Sequence, residues 1–549
     1  MEPVFPDFDP TVPALLRAGV ERWPDNDCVV TPHARLTYAE LDRASRQLAA
    51  GLAGQLGVGK GSRVGVLFAN GPQWVIAWAA AARLGAVVIP VNTFYRPAEL
   101  GKFLRHADVQ ILLAASSFIQ HDYLERLEAT APSLVSHGPG PLLLPELPQL
   151  RRVVVWGASD RKWTDPAEEV VGDVVGLVDA MGADVSPADE LLVTYTSGST
   201  GEPKGIVHGH GNVIRHARNL AALSSVDSRS RIWTPMPLCW VGGFAFTLVR
   251  SLTVGAAFVT QEVFDPAAAV ELMARERVSV VSAWPAACKA MASVPAFATT
   301  DLSAMRSGAF YDAIPASLRP PDPGLVVGSL GMSETGGPHT FWTPEDEQAG
   351  APPEYRGTFG REVPGTEHRI VDPATGVDLP PGDEGEVVVR GYSVMMGMYK
   401  RERSEVFDAD GWYHTGDRGY FRDGWFFFTG RQSDLIKTSG SNVAPAEVEA
   451  CLLSLPEVKL AYVLGVSHPD RGEDVVALVV GWGDSAAVDS PSIRDRLRAD
   501  LSSYKVPRHI FPIGDADVPW LASQKADRRA LAAHAAQLVE AWQTRASTD

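Results

Sequence analysis

The run Thr194-Tyr195-Thr196-Ser197-Gly198-Ser199-Thr200-Gly201-Glu202-Pro203-Lys204-Gly205 gathers hydroxyls, glycines and a lysine in one short stretch. It follows the apolar residues Leu191-Leu192-Val193, which read as a strand end. Gly198, Gly201 and Gly205 let the backbone turn tightly and bring N–H groups close to a ligand. Thr196, Ser197, Ser199 and Thr200 add hydroxyl donors, and Lys204 adds a positive charge. A nest of donors with one cation is what a polyphosphate requires. No Gly-Lys-Ser/Thr triplet closes the run, so it is not a Walker loop. Taken in isolation, such a run is as readily a surface turn.

The elements that would hold this loop can be read on both sides of it. Thr37 and Glu40 have capping-box spacing, and Leu41, Ala44, Leu48 and Leu52 fall on one helical face. Arg63–Phe68 reads as a buried strand, Trp74–Leu84 as an apolar helix, and Gly85–Asn92 as a second strand with a proline stop. Strands alternating with helices imply a parallel sheet covered on both faces. Residues 131–150 are rich in Pro and Gly and read as an exposed connector. Val153–Trp156 resumes the strand pattern. Beyond the loop, Pro235–Phe244 leads into an apolar helix, Val278–Pro285 is a strand and turn, and Glu384–Gly391 has alternating strand character. Pro445 opens a helix at its permitted first turn. The remainder reads as a small α+β module, with strands at Val458–Val466 and Val475–Val480 and helices at Ile493–Leu501 and Ala526–Leu538.

Bulk properties exclude several classes. The chain of 549 residues has room for a large core and more than one domain. A hydrophobic content of 45% with 21% charged residues is that of a soluble globular protein. A formal charge of -17 disfavours non-specific binding to nucleic acid or anionic membrane, so anionic substrates must meet local positive sites. Cys28, Cys239, Cys288 and Cys451 lie far apart without metal-type spacing and read as reduced thiols. The acidic, proline-broken start is no signal peptide, and no apolar segment is long enough to span a bilayer. The expectation is a soluble cytoplasmic protein.

Further motifs follow in order: Arg306-Ser307-Gly308-Ala309-Phe310, Leu330-Gly331-Met332-Ser333-Glu334-Thr335, Trp412-Tyr413-His414-Thr415-Gly416-Asp417, Arg431-Gln432-Ser433-Asp434-Leu435-Ile436-Lys437-Thr438-Ser439-Gly440, and Ala522-Ser523-Gln524-Lys525. With the loop, this ordered set closely resembles the adenylate-forming superfamily of acyl-CoA synthetases, aryl-CoA ligases, adenylation domains and luciferases. The resemblance runs from about Leu36 to Arg529.

The resemblance implies an α/β fold: a large N-terminal domain of layered α/β subdomains with a distorted β-barrel, residues 1–431, and a small mobile α+β C-terminal lid, residues 432–549. It implies ATP, Mg²⁺ and CoA as cofactors. Nucleotide ligands would be Thr196, Ser197, Gly198, Ser199, Thr200, Gly201, Lys204, Gly308, Ala309, Phe310, Leu330, Gly331, Met332, Ser333, Glu334, Asp417, Arg431, Gly440 and Lys525. A carboxylate facing a triphosphate needs a bridging hard cation, which makes Glu334, with Thr200, the Mg²⁺ ligand. Asp417 would take the ribose diol, and Arg431 the ribose and α-phosphate. Lys525, Lys204, Glu334 and Lys437 would be catalytic, with Lys437 and Gly440 serving the second half-reaction. Trp240, Gly242, Phe244 and Gly308 would border the acyl pocket, and Phe310 and Trp342 add to its apolar character.

Departures from the family pattern fall at Trp240 (usually His), Leu330 (usually aromatic), Ser433 (usually Asp or Lys) and Gln524 (usually Gly). His208 and His210 read as structural or pocket-edge groups. The implied partners are a carboxylic acid, ATP and CoA. The acid is an apolar one, of medium-chain, aryl or bulky terpenoid- or steroid-like type. An enzyme that only adenylates, passing the acyl group to a carrier protein or partner enzyme, stays open as the alternative.

Overall fold

The computed structural model describes residues 2–172, 174–197, 203–283, 285–307, 329–343, 346, 358–431, 436–443, 445–481, 489–519 and 526–546. The chain divides into two compact units. The first comprises Met1–Thr93, Leu104–Tyr195 and Gly205–Gly430; the second comprises Phe94–Phe103, Thr196–Lys204 and Arg431–Asp549.

Two sheets carry the first unit. One runs in the order Gly397–Met398, Pro203–Gly209, Glu190–Ser197, Val87–Pro90, Arg63–Leu67, Ile111–Ala115, Arg152–Trp156, Asp165–Pro166. Its centre is parallel, and the edge strand Gly397–Met398 is antiparallel to Pro203–Gly209. The other runs Val280–Val281, Arg231–Thr234, Ala257–Thr260, Asp27–Val30, Arg35–Thr37. Continuous apolar runs such as Val87–Pro90 belong here because both faces of a parallel sheet are covered. The helix Tyr38–Leu56 opens with the capping box of Thr37 and Glu40. Its Leu41, Leu48 and Leu52 join the core with Trp74 and Trp78 of the helix Pro72–Arg83.

An antiparallel half-barrel completes this unit: Thr366–Val371, Gly385–Gly391, Tyr413–Arg422 and Trp425–Arg431. A three-stranded sheet of Leu330–Met332, Gly337–Phe341 and Arg361–Glu362 accompanies it. The strand Gly385–Gly391 does not alternate as expected. Residues 385–389 are all buried, because the strand is central. Val387 and Val389 join one cluster, while Val388 joins Val371 and Trp412 on the other face. The 131–150 segment also differs from a solvated connector: Leu134, Leu142, Leu144, Leu147 and Leu150 are buried. Its prolines and glycines set its path, but its leucines fasten it to the core.

One sheet organises the second unit, in the order Ser441–Val443, Ile436–Thr438, Gly472–Gly481, Val458–His468, with His509–Pro512 parallel to Gly472–Gly481. Period-two alternation divides its side chains. Val475, Ala477 and Val479 face the helices Pro445–Leu453 and Ser490–Asp500 through Val448, Leu452, Ile493 and Leu497. Val476, Leu478 and Val480 face Leu531, Ala535 and Val539 of the helix Arg528–Ala546. Within this unit the buried Lys505 ammonium pairs with Glu99 at 2.8 Å and Glu447 at 2.9 Å. The α/β class, with a large unit and a small α+β one, is as the sequence implies. Among the described residues, no helix is long and apolar enough to cross a membrane.

Candidate active site

Ser333-Glu334-Thr335 forms a single tight turn between the strands Leu330–Met332 and Gly337–Phe341. Three elements fix its backbone. His208 Nε2 hydrogen-bonds the Ser333 carbonyl at 2.7 Å, and the Met395 N–H donates to the Glu334 carbonyl at 2.8 Å. Thr335 Oγ1 donates to the Gly337 carbonyl at 2.7 Å. The Glu334 side chain stays half-buried, and the Tyr413 hydroxyl donates to its Oε1 at 3.3 Å. Tyr413 opens the strand Tyr413–Arg422, which also carries Asp417. Asp417 is buried, and its N–H donates to Thr415 Oγ1 at 3.0 Å. Thr415 Oγ1 in turn donates to the Val387 carbonyl at 2.6 Å. Tyr413 has no role in the family pattern read from the sequence. Its contact with Glu334 spans 79 positions, a pairing that no local pattern announces.

The buried histidines here are neutral. With Nε2 bonded to a carbonyl, His208 is the Nε2–H tautomer, and Asn212 Nδ2 lies 3.1 Å from its Nδ1. Burial pulls His208 and His210 down to about 4 and His216 to about 3. They cannot serve as cations for phosphate at neutral pH. The His210 Nδ1 accepts from the Val12 N–H at 3.1 Å.

In sequence, the expected phosphate loop falls between the strands Glu190–Ser197 and Pro203–Gly209. Thr196 and Lys204 are half-buried at their ends. Gly198, Ser199, Thr200 and Gly201 lie outside the described residues, as does the Ser197 side chain. In the first unit, His106 Nδ1 and the Tyr195 hydroxyl are 3.0 Å apart, and the Tyr399 N–H donates to the Gly205 carbonyl at 2.7 Å. Gly308, Ala309, Phe310 and Lys525 also lie outside the described residues, as does the side chain of Arg431.

Trp240 is half-buried and starts a helical path through Val241–Gly243, Phe244–Val249 and Arg250–Leu252. The middle stretch is wound as a π-helix, a form frequent at functional sites. Gly243 is required here: a Cβ would lie 2.3 Å from the Pro237 carbonyl oxygen. Gly242 keeps some exposure. Phe244, however, packs in the core between Trp74 and Trp78, with ring centroids at 5.7 and 5.3 Å. Trp342 packs on Trp425 at 4.5 Å, and Leu330 joins the cluster of Val387, Val389 and Phe426. Gly331 is exposed and Met332 half-buried.

In the second unit, Lys437 is exposed on the strand Ile436–Thr438. Ser439 (φ 49°) and Gly440 (φ 82°) both take left-handed backbone, making the two-residue turn that leads into Ser441–Val443. Gly440 thus has a conformational reason to be glycine.

Among the described residues no group of three His, Cys, Asp or Glu could hold a metal. The half-buried carboxylate of Glu334 fits a hard cation held jointly with substrate phosphates. The four cysteines are free thiols; three are buried and Cys451 is half-buried.

A site of this kind on this fold defines a class. The chain belongs to the AMP-binding enzyme family, whose model matches residues 16–399, and the AMP-binding enzyme C-terminal domain matches residues 447–525. It is an AMP-forming acid–thiol ligase of the acyl-CoA synthetase type in the adenylate-forming superfamily. It is 31% identical to a feruloyl-CoA synthase of Amycolatopsis sp, over 90% of this chain and 94% of that protein. It is 31% identical to a methyl-dioxo-octahydro-indenyl-propanoyl:CoA ligase of Mycobacterium tuberculosis, over 91% of this chain and 94% of that one. The structure of the amide bond synthetase McbA from Marinactinospora thermotolerans matches with a TM-score of 0.76 and 26% identity, over 94% of this chain and 99% of that chain.

Proposed function

We propose that this enzyme activates an apolar carboxylic acid, of medium-chain or bulky terpenoid- or steroid-like type, and passes the acyl group to CoA. A carboxylate oxygen attacks the α-phosphorus of ATP and pyrophosphate leaves, giving an acyl-adenylate. The CoA thiol then attacks the acyl carbon, the mixed anhydride breaks and AMP leaves. The observation that supports this most is the strand Tyr413–Arg422. It brings Tyr413 to Glu334 and carries Asp417, so that two carboxylates assigned to a nucleotide are set by one element.

In this reading Thr196, Ser197, Gly198, Ser199, Thr200, Gly201 and Lys204 hold the β- and γ-phosphates. Asp417 and Arg431 hold the ribose and α-phosphate. Gly308, Ala309, Phe310 and Leu330–Ser333 border the adenine. Glu334 and Thr200 would hold Mg²⁺, which supplies charge neutralisation on the phosphates. Lys525 stabilises charge developing at the α-phosphate. Lys437 and Gly440 serve thioester formation, with residues 432–549 as a mobile lid on residues 1–431. Trp240 and Gly242 border the acyl group. The cytoplasm is the proposed location.

Two relatives, a feruloyl-CoA synthase and a bicyclic propanoyl:CoA ligase, favour a bulky acid. The departures from the family pattern at Leu330, Ser433 and Gln524 favour keeping a second reading, in which the acyl group goes to a carrier protein or partner enzyme. The test is a pyrophosphate-release screen over a panel of carboxylic acids, with and without CoA. The expected result is acid-dependent release with AMP and acyl-CoA as products. Adenylate accumulating beside unused CoA supports the second reading, and nucleotide binding without pyrophosphate release overturns both.

A further inference from the structure

Arg250 is an anomaly among the charged residues of the first unit. It is 2% exposed, yet among the described residues no carboxylate pairs with it. Its Nη1 donates to Ser224 Oγ at 3.3 Å, and its guanidinium lies 4.3 Å above the Phe246 ring. Its Nε is buried without an acceptor. Ser224 already donates to the Leu220 carbonyl, so it offers the guanidinium only a neutral oxygen. By contrast Arg83, also buried, is met by Asp42 and Ser45. Burial brings Arg250 down to about 10, which still leaves it cationic at neutral pH. A guanidinium is a fork of five donors, and a buried one is ordinarily matched by a carboxylate or phosphate.

The position of Arg250 along its helix gives this a direction. The path begins at Trp240 and Gly242, assigned above to the acyl group. The segment Phe244–Val249 is wound wide, and the Thr247 hydroxyl reaches back five residues to the Gly242 carbonyl at 2.9 Å. In such winding, residues four or five apart share a face. Gly242, Phe246 and Arg250 therefore form a row that passes from a half-exposed glycine, through a half-buried ring, to a buried cation.

We infer that Arg250 is a distal anchor for the acid, recognising an acceptor oxygen at the end remote from the reacting carboxylate. This rests on the acyl-adenylation reading. The ligand class is an apolar acid bearing a second carboxylate or a ketone, either of which supplies the oxygen the guanidinium lacks. The adenylated carboxylate stays near Trp240, and the apolar body lies along Phe246.

The test compares matched acids in the full-length enzyme: octanoate with its terminal diacid and its penultimate keto acid, and cyclohexylpropanoate with its ring-keto analogue. Pyrophosphate release gives kcat/KM for each, in the wild type, Arg250→Met and Arg250→Lys. The expected result is that the wild type prefers the oxygen-bearing member, and that Arg250→Met lowers the preference by about tenfold or more, as for a hydrogen bond to a charged group. Arg250→Lys should restore part of it. The diacid against the keto acid distinguishes the two oxygen sources. An unchanged ratio in Arg250→Met overturns the inference while leaving adenylation standing. Absence of release with every acid overturns the adenylation reading instead. Thermal unfolding of the wild type with each acid, without ATP, decides independently of turnover and of the variants' folding. A larger upward shift with the oxygen-bearing member supports the anchor, and an equal or smaller one overturns it.

Discussion

The Glu334 turn and the Lys437–Asn442 hairpin are both short reversals carrying candidate chemistry, but they are held in opposite ways. The turn is fastened by bonds from His208, Met395 and Thr335, and only its carboxylate remains half open. The hairpin is fixed by its own two left-handed residues and by the Ser439 N–H, which donates to the Arg471 carbonyl at 2.8 Å. Lys437 and Asn442 stay exposed. One region places a charge against a rigid background; the other displays one charge, that of Lys437, on a stiff ribbon. Side chains of the first kind affect stability and catalysis together, whereas those of the second kind can be removed with little effect on folding.

That contrast can be broken or sharpened by substitution. The largest effect is expected for Lys525→Ala, with a loss of at least about 100-fold in acid-dependent pyrophosphate–ATP exchange. Thioester formation from a supplied acyl-adenylate should be largely retained. Normal exchange would remove Lys525 from its role. Glu334→Gln should lower the adenylation rate by about 100-fold while Mg²⁺ dependence weakens; an unchanged Mg²⁺ titration would show that the carboxylate does not face the cation.

For Lys437→Ala, a fall of about tenfold is expected in thioester formation alone. Its thermal midpoint should be unchanged, because the side chain is exposed. A lower midpoint would erase the contrast between the two reversals.

Acid should weaken the first unit. His208 and His210 titrate at about 4 and His216 at about 3 in the fold, each below the ordinary 6.5. The unfolded chain therefore binds their protons first, so stability is full above about pH 6.5 and falls as pH drops towards the folded values. Near pH 5 the loss is about 2 kcal/mol per histidine. Urea unfolding of the whole enzyme at about pH 7 and pH 5, followed by tryptophan fluorescence, checks this; equal midpoints would contradict it. The smallest effect is expected for Tyr413→Phe, a roughly threefold rise in KM for ATP through loss of one hydrogen bond to Glu334.

Much of this was legible in the chain itself. The Thr37 and Glu40 capping box, the helix faces and the small unit's strands follow local periodicity, and the structure keeps them. What periodicity misses is what lies on the far side of an element. Residues 385–389 are buried on both faces because Val387 and Val389 pack in one cluster and Val388 in another, and five leucines of 131–150 are buried although prolines and glycines surround them. The ring contacts of Phe244 with Trp74 and Trp78, and of Trp342 with Trp425, also join residues that no local pattern pairs. Nothing in the sequence marks Arg250, because an arginine in a helical pattern is ordinarily a solvated one; only the packing around it removes its water.

The central claim is that the acid's own oxygen is joined to the α-phosphorus of ATP. The most direct measurement uses an acid labelled with heavy oxygen in its carboxylate, with ATP and CoA, and mass analysis of the products. One labelled oxygen should appear in AMP. Label found in inorganic phosphate with ADP as the nucleotide product, or no transfer of label while acyl-CoA forms, would contradict the account.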